Sequence, residues 1–297
     1  MAEKMTIAAV NEAEEVKKQN QFVETFKRLC RNKTALIGLI IVVIYILVAI
    51  FAQVLTPYDY AQMDPISANQ APSAAHWFGT DYMGRDILTR LMVGTRYSLG
   101  LGVGAIAIGV IVGIILGCIA GYFGGAAEEL IMRFCDVLQA IPSTILAIVI
   151  SMVLGTGFVN TIIAVGIGRI PLNARIIRAQ FLSQRKLEYV EAAQATNTSQ
   201  AKIMFGHILP NTISPLIVNS TMGIGGAIMI AAGLSFINLG VQPPTPEWGA
   251  MITAGKEFIR LYQYQVLYPG LFMAVFVLAV NLLGDGLRDA LDPKLRT

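Results

Sequence analysis

The sequence predicts an all-α membrane protein with six transmembrane helices and both termini in the cytoplasm, and three observations predict it. Of 297 residues, 55% are hydrophobic and only 14% charged, with a mean hydropathy of +0.62. A water-soluble domain of this length is far more polar. Apolar stretches recur along the chain, and the clearest runs about 20 residues, enough to cross a hydrocarbon core of about 30 Å at about 1.5 Å per residue. Of the 22 Lys and Arg, 17 fall in segments this topology places inside and 5 in segments it places outside, the bias expected of a multi-pass protein of the plasma (inner) membrane. The bilayer is one partner that composition demands. Nucleic acid is not, because the net charge is only +3 and no basic patch interleaves with aromatics.

Residues 1–34 are polar. Glu12, Glu14, Glu15, Lys17 and Lys18 lie in helical register and Lys27, Arg28, Arg31 and Lys33 follow. The basic run comes too late for a cleavable signal, and no small-residue cleavage site follows the apolar stretch, so this is a cytoplasmic tail. Residues 35–55 are uncharged and form span one. Residues 56–96 are a hydrophilic extracytoplasmic loop with prolines at 57, 65 and 72. Asp81 or Asp86 is placed to cap a short helix whose Ile87, Leu88, Leu91 and Met92 form one apolar face, lying at the membrane surface. His76, Asp81 and Asp86 raise the question of a metal, but no second histidine is near and Arg85 and Arg90 balance the charge, so none is expected.

A core of five further spans occupies residues 97–286. Span two, 97–122, carries Ala105, Gly109, Gly113, Gly117 and Gly121 at a four-residue spacing. Small residues so placed let helices approach closely in lipid, where packing must hold them together. Packing is preferred to a glycine-lined pore. Span three, 130–154, contains Arg133 and Asp136, three apart and able to pair, and a polar stripe of Asp136, Gln139, Ala140 and Ser143 facing the bundle or its lumen. A single acid near a helix end reads as structural rather than as a proton relay. Span four, 158–177, is interrupted by Arg169, Pro171 and Asn173, and Arg169 must face protein or water, or mark the cytoplasmic end of a short span. Span five, 212–240, brings Asn219, Ser220 and Thr221, which with Ser143 and Asp136 and Gln139 are candidates for the translocation path. A proline-rich turn at 242–249 leads to a short helix, with Trp248 as an interfacial anchor. Span six, 266–283, is entered through Pro269, and the remainder, with 287–297 as its end, is a polar cytoplasmic tail. Cys30, Cys118 and Cys135 are unevenly spaced and read as small hydrophobes rather than a disulfide or zinc set.

One interval stands apart. Residues 188–211 are polar, alanine-rich and helical in pattern, between apolar segments, and fall inside. Ala192 and Ala193 have little bulk, so a partner can approach the backbone, and Glu191 adds a charge. Asn197 and Thr198 favour a turn, with a second short helix over about 199–207 and Pro210 opening the next apolar segment. The order Glu191-Ala192-Ala193, a turn, then Ile208-Leu209-Pro210 resembles the coupling loop, about 185–210 here, of the membrane subunits of ABC transporters.

Four more stretches resemble the C-type permease of the dipeptide and oligopeptide branch of ABC importers: Phe78-Gly79-Thr80-Asp81 with Gly84-Arg85-Asp86; Gly121-Tyr122-Phe123-Gly124-Gly125; Gln242-Pro243-Pro244-Thr245-Pro246-Glu247-Trp248-Gly249; and Gly284-Asp285-Gly286-Leu287-Arg288-Asp289-Ala290-Leu291-Asp292-Pro293. The resemblance implies a type I importer permease fold, a heterodimeric pore with a B-type permease, two cytoplasmic ABC ATPase subunits, and an extracytoplasmic peptide-binding protein. It implies that Glu191, Ala192 and Ala193 sit in a cleft on one ATPase. Asn197 departs from the glycine usual in that loop, and asparagine is the next most tolerant residue at positive φ.

No catalytic residue is expected. The chain has no G-x-x-x-x-G-K-[ST], since Gly255-Lys256 is followed by Glu257, so ATP and magnesium belong to partner subunits. An ion-coupled secondary transporter would need intramembrane acids or paired broken helices, and only Asp136 is a candidate. A membrane-embedded enzyme would need a motif such as H-E-x-x-H or G-x-S-x-G, and neither occurs. His207 caps a helix end or faces the headgroups. Dipeptides, oligopeptides, nickel chelates and glutathione are all cargo of the branch, and nothing in the residues separates them.

Overall fold

The computed structural model describes residues 21–291. The helical register expected at 12–18 and the end of the C-terminal tail lie outside them. The first helix, α1 (Gln21–Arg31), is amphipathic and turns into α2 (Lys33–Leu55) at Asn32, whose Oδ1 accepts from the amides of Thr34 and Ala35. That cap satisfies two amides the new helix would leave bare. Ile37, Ile40, Ile44 and Ile50 project outward from α2, while Ala35, Tyr45 and Ala52 are buried. Its position in the bundle is set by Tyr45, which donates to the Phe272 carbonyl at 2.7 Å.

Asp86 caps α3 (Ile87–Phe123), accepting from the Thr89 amide at 2.7 Å. Nothing between Met92 and Tyr97 breaks a helix, so the surface helix expected before span two is instead the first turns of one 37-residue helix. Its apolar face is not at the headgroups. Ile87 and Leu91 are buried beside Trp248, Met251 and Phe276.

Span three is not a single rod. α4 (Gly125–Ala140) and α5 (Ser143–Leu154) meet at 90°. Pro142 biases the residue before it away from the helical region, and Ile141 is accordingly extended at φ −98°, ψ 126°. Span four is also composite, because α6 (Phe158–Ile167) stops at Gly168 and Arg169 before α7 (Ile170–Gln184). Among the described residues four helices are long and apolar enough to cross a membrane alone, α2, α3, α11 (Ser214–Phe236) and α13 (Tyr264–Leu291).

Between α7 and α11 lies α8 (Glu188–Ala195), then a helical run from α9 (Gln200–Lys202) through a π-helical stretch, Ile203–Ile208, into α10 (Leu209–Thr212). The second loop helix therefore extends beyond 207, and His207 lies inside it rather than at its end. α12 (Trp248–Gly255) precedes α13, which continues to Leu291. Much of the expected polar tail is thus helix, with Gly284 and Gly286 buried against Met222 and Ala35. Trp248 is wholly buried, not an interfacial anchor. Its ring meets Tyr45, Phe272 and Phe276 edge-on, which outweighs the attraction of the headgroup layer for an isolated indole.

α3 is the hub, packed most extensively on α7 and also on α2, α6 and α11. Three apolar clusters surround it. One joins Leu101 and Ala105 to Ala147, Ala164 and Ala231, one gathers around Trp248, and one lies under α8 and the π-helical stretch.

Candidate coupling surface and transport pathway

The loop at 188–211 has a wet face and a dry one. Glu191, Ala192, Asn197 and Pro210 are exposed and Ala193 and Leu209 half-buried. Underneath, Val190, Ile203 and Ile208 are fully buried with Cys118 of α3, Ile177 and Phe181 of α7 and Leu216 of α11. A force applied to the exposed face therefore reaches three bundle helices through close-packed side chains, which transmit displacement rather than absorb it.

The turn between the two loop helices rests on Asn197, at φ +58°. Its amide and those of Thr196 and Thr198 donate to the carbonyls of Gln194, Ala192 and Ala193, and the Thr196 hydroxyl also reaches the Ala193 carbonyl. The last carbonyls of α8 are thereby satisfied, as in helices that end on a left-handed residue.

Gly109, Gly113, Gly117 and Gly121 line the α3 face that receives α7. A methyl added at Gly109 would lie 2.5 Å from Cβ of Arg169, one at Gly113 2.6 Å from Cβ of Asn173, one at Gly117 2.6 Å from the Ala174 carbonyl, and one at Gly121 2.5 Å from Cβ of Phe181. Only hydrogen fits there, and α7 with its loop is held against α3 at backbone distance.

The expected pair of Arg133 and Asp136 does not form. Arg133 approaches Glu129 at 3.9 Å, one turn away on an exposed face, while Asp136 Oδ1 accepts from Arg175 of α7 at 2.5 Å. The same guanidinium holds the Gln139 side-chain oxygen. Arg178 clamps Glu128 in the same way, and Arg185 donates to the Gly121 and Tyr122 carbonyls at 3.2 and 3.4 Å. Two arginines of α7, Arg178 and Arg175, thus fasten the start and end of α4 to the helix that leads into the loop, and Arg185, at the end of α7, fastens the end of α3. The spacing of the arginines at 175, 178 and 185 is readable, but the carboxylate partners of Arg175 and Arg178 lie some forty or fifty residues away and were not.

The candidate path residues are not one cluster. Ser143 is exposed at the α4–α5 elbow. Asn219 donates to Asn173 Oδ1 at 3.1 Å, Ser220 Oγ is enclosed without a partner, and the Thr221 hydroxyl is turned back to the Ile217 carbonyl.

In the loop before α3, Asp81 accepts from the amides of Met83 and Arg85 and from Arg85 Nε at 2.7 Å, with Arg90 Nε at 3.6 Å. His76 Nδ1 contacts Asp86 Oδ1 at 3.0 Å. These side chains are occupied in folding the loop onto α3. Glu247 was missed, although an acid directly before a short helix is a cap signal. It is fully buried, its two oxygens accepting from the amides of Gly249 and Ala250, both at 2.8 Å, and from Ser235 and Ser98.

Known proteins with this arrangement are transporter subunits. Residues 109–297 match the family model described as binding-protein-dependent transport system inner membrane component, and residues 20–72 match the N-terminal TM domain of oligopeptide transport permease C. The chain is 46% identical over 274 residues to a dipeptide transport system permease protein of Alkalihalophilus pseudofirmus, covering 92% of this chain and 90% of that one. It is 42% identical over 277 residues to a glutathione transport system permease protein of Pectobacterium atrosepticum, covering 92% and 91%. The fold matches a chain of the MetNI methionine ABC transporter, solved in inward facing conformations, with a TM-score of 0.52 at 18% identity over 69% of this chain and 97% of that one. The chain therefore belongs to the family of inner-membrane components of binding-protein-dependent transport systems, as a permease subunit of the type found in dipeptide and glutathione ABC importers.

Proposed function

We propose that this chain forms half of the translocation pathway of an ATP-driven importer of small peptides. It pairs with a second, B-type permease, is driven by two cytoplasmic ATPase subunits that hold ATP and magnesium, and receives cargo from an extracytoplasmic peptide-binding protein. The relatives named for dipeptides and for glutathione share one chemistry, a short peptide with a free carboxylate. The observation that carries the reading is the two-faced loop, with Glu191, Ala192 and Ala193 presented outward and Val190, Ile203 and Ile208 locked into α3, α7 and α11.

The mechanism is alternating access. Closure of the ATPase pair moves α8 and the helical run after Asn197 as one lever, and α7 follows because Gly109 to Gly121 and the Arg175 and Arg178 pairs hold it to α3 and α4. The bundle rocks outward to the binding protein, and hydrolysis returns it. Cargo drives this only to the extent that it favours one state. Asp136 is neutralised by Arg175, which removes the one acid an ion-coupled transporter would have used.

Affinity purification of the chain in mild detergent tests the assembly, with recovery of a second permease and two ATPase chains expected. Glu191→Lys should leave the protein inserted and folded while lowering ATPase recovery or peptide uptake. Wild-type values for both would overturn the coupling role.

A further inference from the structure

Arg169 is a cation at mid-depth in the bundle. It follows α6, whose 10 residues reach about 15 Å from the outer end. Its Nη2 lies 2.6 Å from where a methyl on Gly226 would sit, and Gly226 is near the centre of the 23-residue α11. Unlike Arg175, Arg178 and Arg185, it has no partner among the described residues. Nε is enclosed without a hydrogen bond, and no acidic group lies within ion-pair distance.

An uncompensated guanidinium at this depth cannot face acyl chains without a large penalty, so it faces water or protein. The surface around it differs from the lipid-facing side of α2. Where α2 presents isoleucines, α11 offers Gly226 against the guanidinium, with exposed Met229 and the open Gly233 following along the helix, and the α4–α5 elbow brings exposed Ser143 to within 3.6 Å of a methyl position on Gly168.

We propose that Arg169 is a cargo-binding residue of the pathway, taking the α-carboxylate of a short peptide as it crosses mid-membrane. This rests on the importer reading above. A guanidinium matches a carboxylate with two parallel hydrogen bonds. Every linear peptide carries that group whatever its side chains, so one arginine recognises the class without reading sequence. The contact also supplies the counter-charge that the resting bundle withholds.

The test uses the complete transporter in proteoliposomes, with both permeases, the ATPases and the binding protein, and a labelled dipeptide mixture as probe. Arg169→Cys should lower uptake about ten- to a hundredfold with all subunits still recovered. Reaction with a cationic aminoethyl thiol reagent should restore uptake and a neutral methyl reagent should not, against wild type treated identically. Unchanged uptake, restoration by the neutral reagent, or loss of the second permease from the purified variant would each overturn the proposal, the last by assigning Arg169 to a subunit contact. Failure of the wild-type complex to import any peptide would remove the importer reading itself.

Discussion

Trp248 Nε1 donates to the backbone carbonyl of Leu91 at 3.2 Å, joining the short helix α12 to the first turns of α3. The ring is fully buried and meets Tyr45, Phe272 and Phe276 at centroid distances of 5.8, 5.7 and 5.9 Å, so α2 and α13 close on the same side chain. Trp248→Ala should cost about 3–5 kcal/mol through the cavity it leaves. Trp248→Phe, which keeps part of the ring contact but loses the hydrogen bond and the second ring, should cost less. Unfolding of the detergent-purified protein measures both, and equal losses would mean the hydrogen bond and the second ring rather than the remaining ring contact hold α12.

The site and the fold were legible to different depths, for physical reasons. Hydropathy marks how many residues are apolar and not which way they run, so residues 130–154 read as one span although Ile141 and Pro142 turn the chain through a right angle. Asp86 was a visible cap, but the length of the helix it starts depends on the absence of any breaker after Met92, and Ile87 and Leu91 were assigned to a surface because their partner Trp248 is distant in sequence. Trp248 itself shows the limit most clearly, since its indole suits a headgroup layer and only the tertiary cage of three aromatics takes it inside. Asn197 was legible because its conformation is a property of the residue and its immediate neighbours.

That turn makes a sharp comparison. Asn197 sits at φ +58°, where glycine pays no steric penalty and a β-branched side chain pays the most. Asn197→Gly should change ATPase coupling little, whereas Asn197→Val should strain the turn by about 1–2 kcal/mol and lower cargo uptake per ATP hydrolysed. If valine couples as well as asparagine, the angle between α8 and the following helical run does not matter for transmission.

The Asp136–Arg175 pair ties α4 to α7 across an exposed seam, with the two side chains 52% and 39% accessible. Screening makes such a pair a weak source of stability, so its effect is expected in transport rather than in melting. Asp136→Arg should reduce uptake, because two guanidiniums then crowd the Gln139 amide, and Arg175→Asp should do the same. Combining the two should restore a substantial part of the loss. A double variant no better than the worse single one would show that position, and not complementarity, is what matters at each site.

Glu247 should give the end of the bundle that carries α12 a pH dependence. Burial pushes its carboxyl above the ordinary value of 4.5, while four donors, the amides of Gly249 and Ala250 and the hydroxyls of Ser235 and Ser98, pull the other way without cancelling it. With a raised folded pKa, the native state binds more proton than the unfolded state between the two values. Stability from this group is therefore fully present below about 4.5 and is lost as pH rises through the folded pKa. Glu247→Gln cannot ionise, so it removes that dependence. It also turns an amide NH2 toward two donors, which should cost about 1–3 kcal/mol at every pH. Melting of wild type and variant in detergent across pH 4 to 8 reads both effects. The gap between the two should be widest in acid and narrow as pH rises, and a gap that stays constant would show that folding leaves the pKa of the Glu247 carboxyl where the unfolded chain has it.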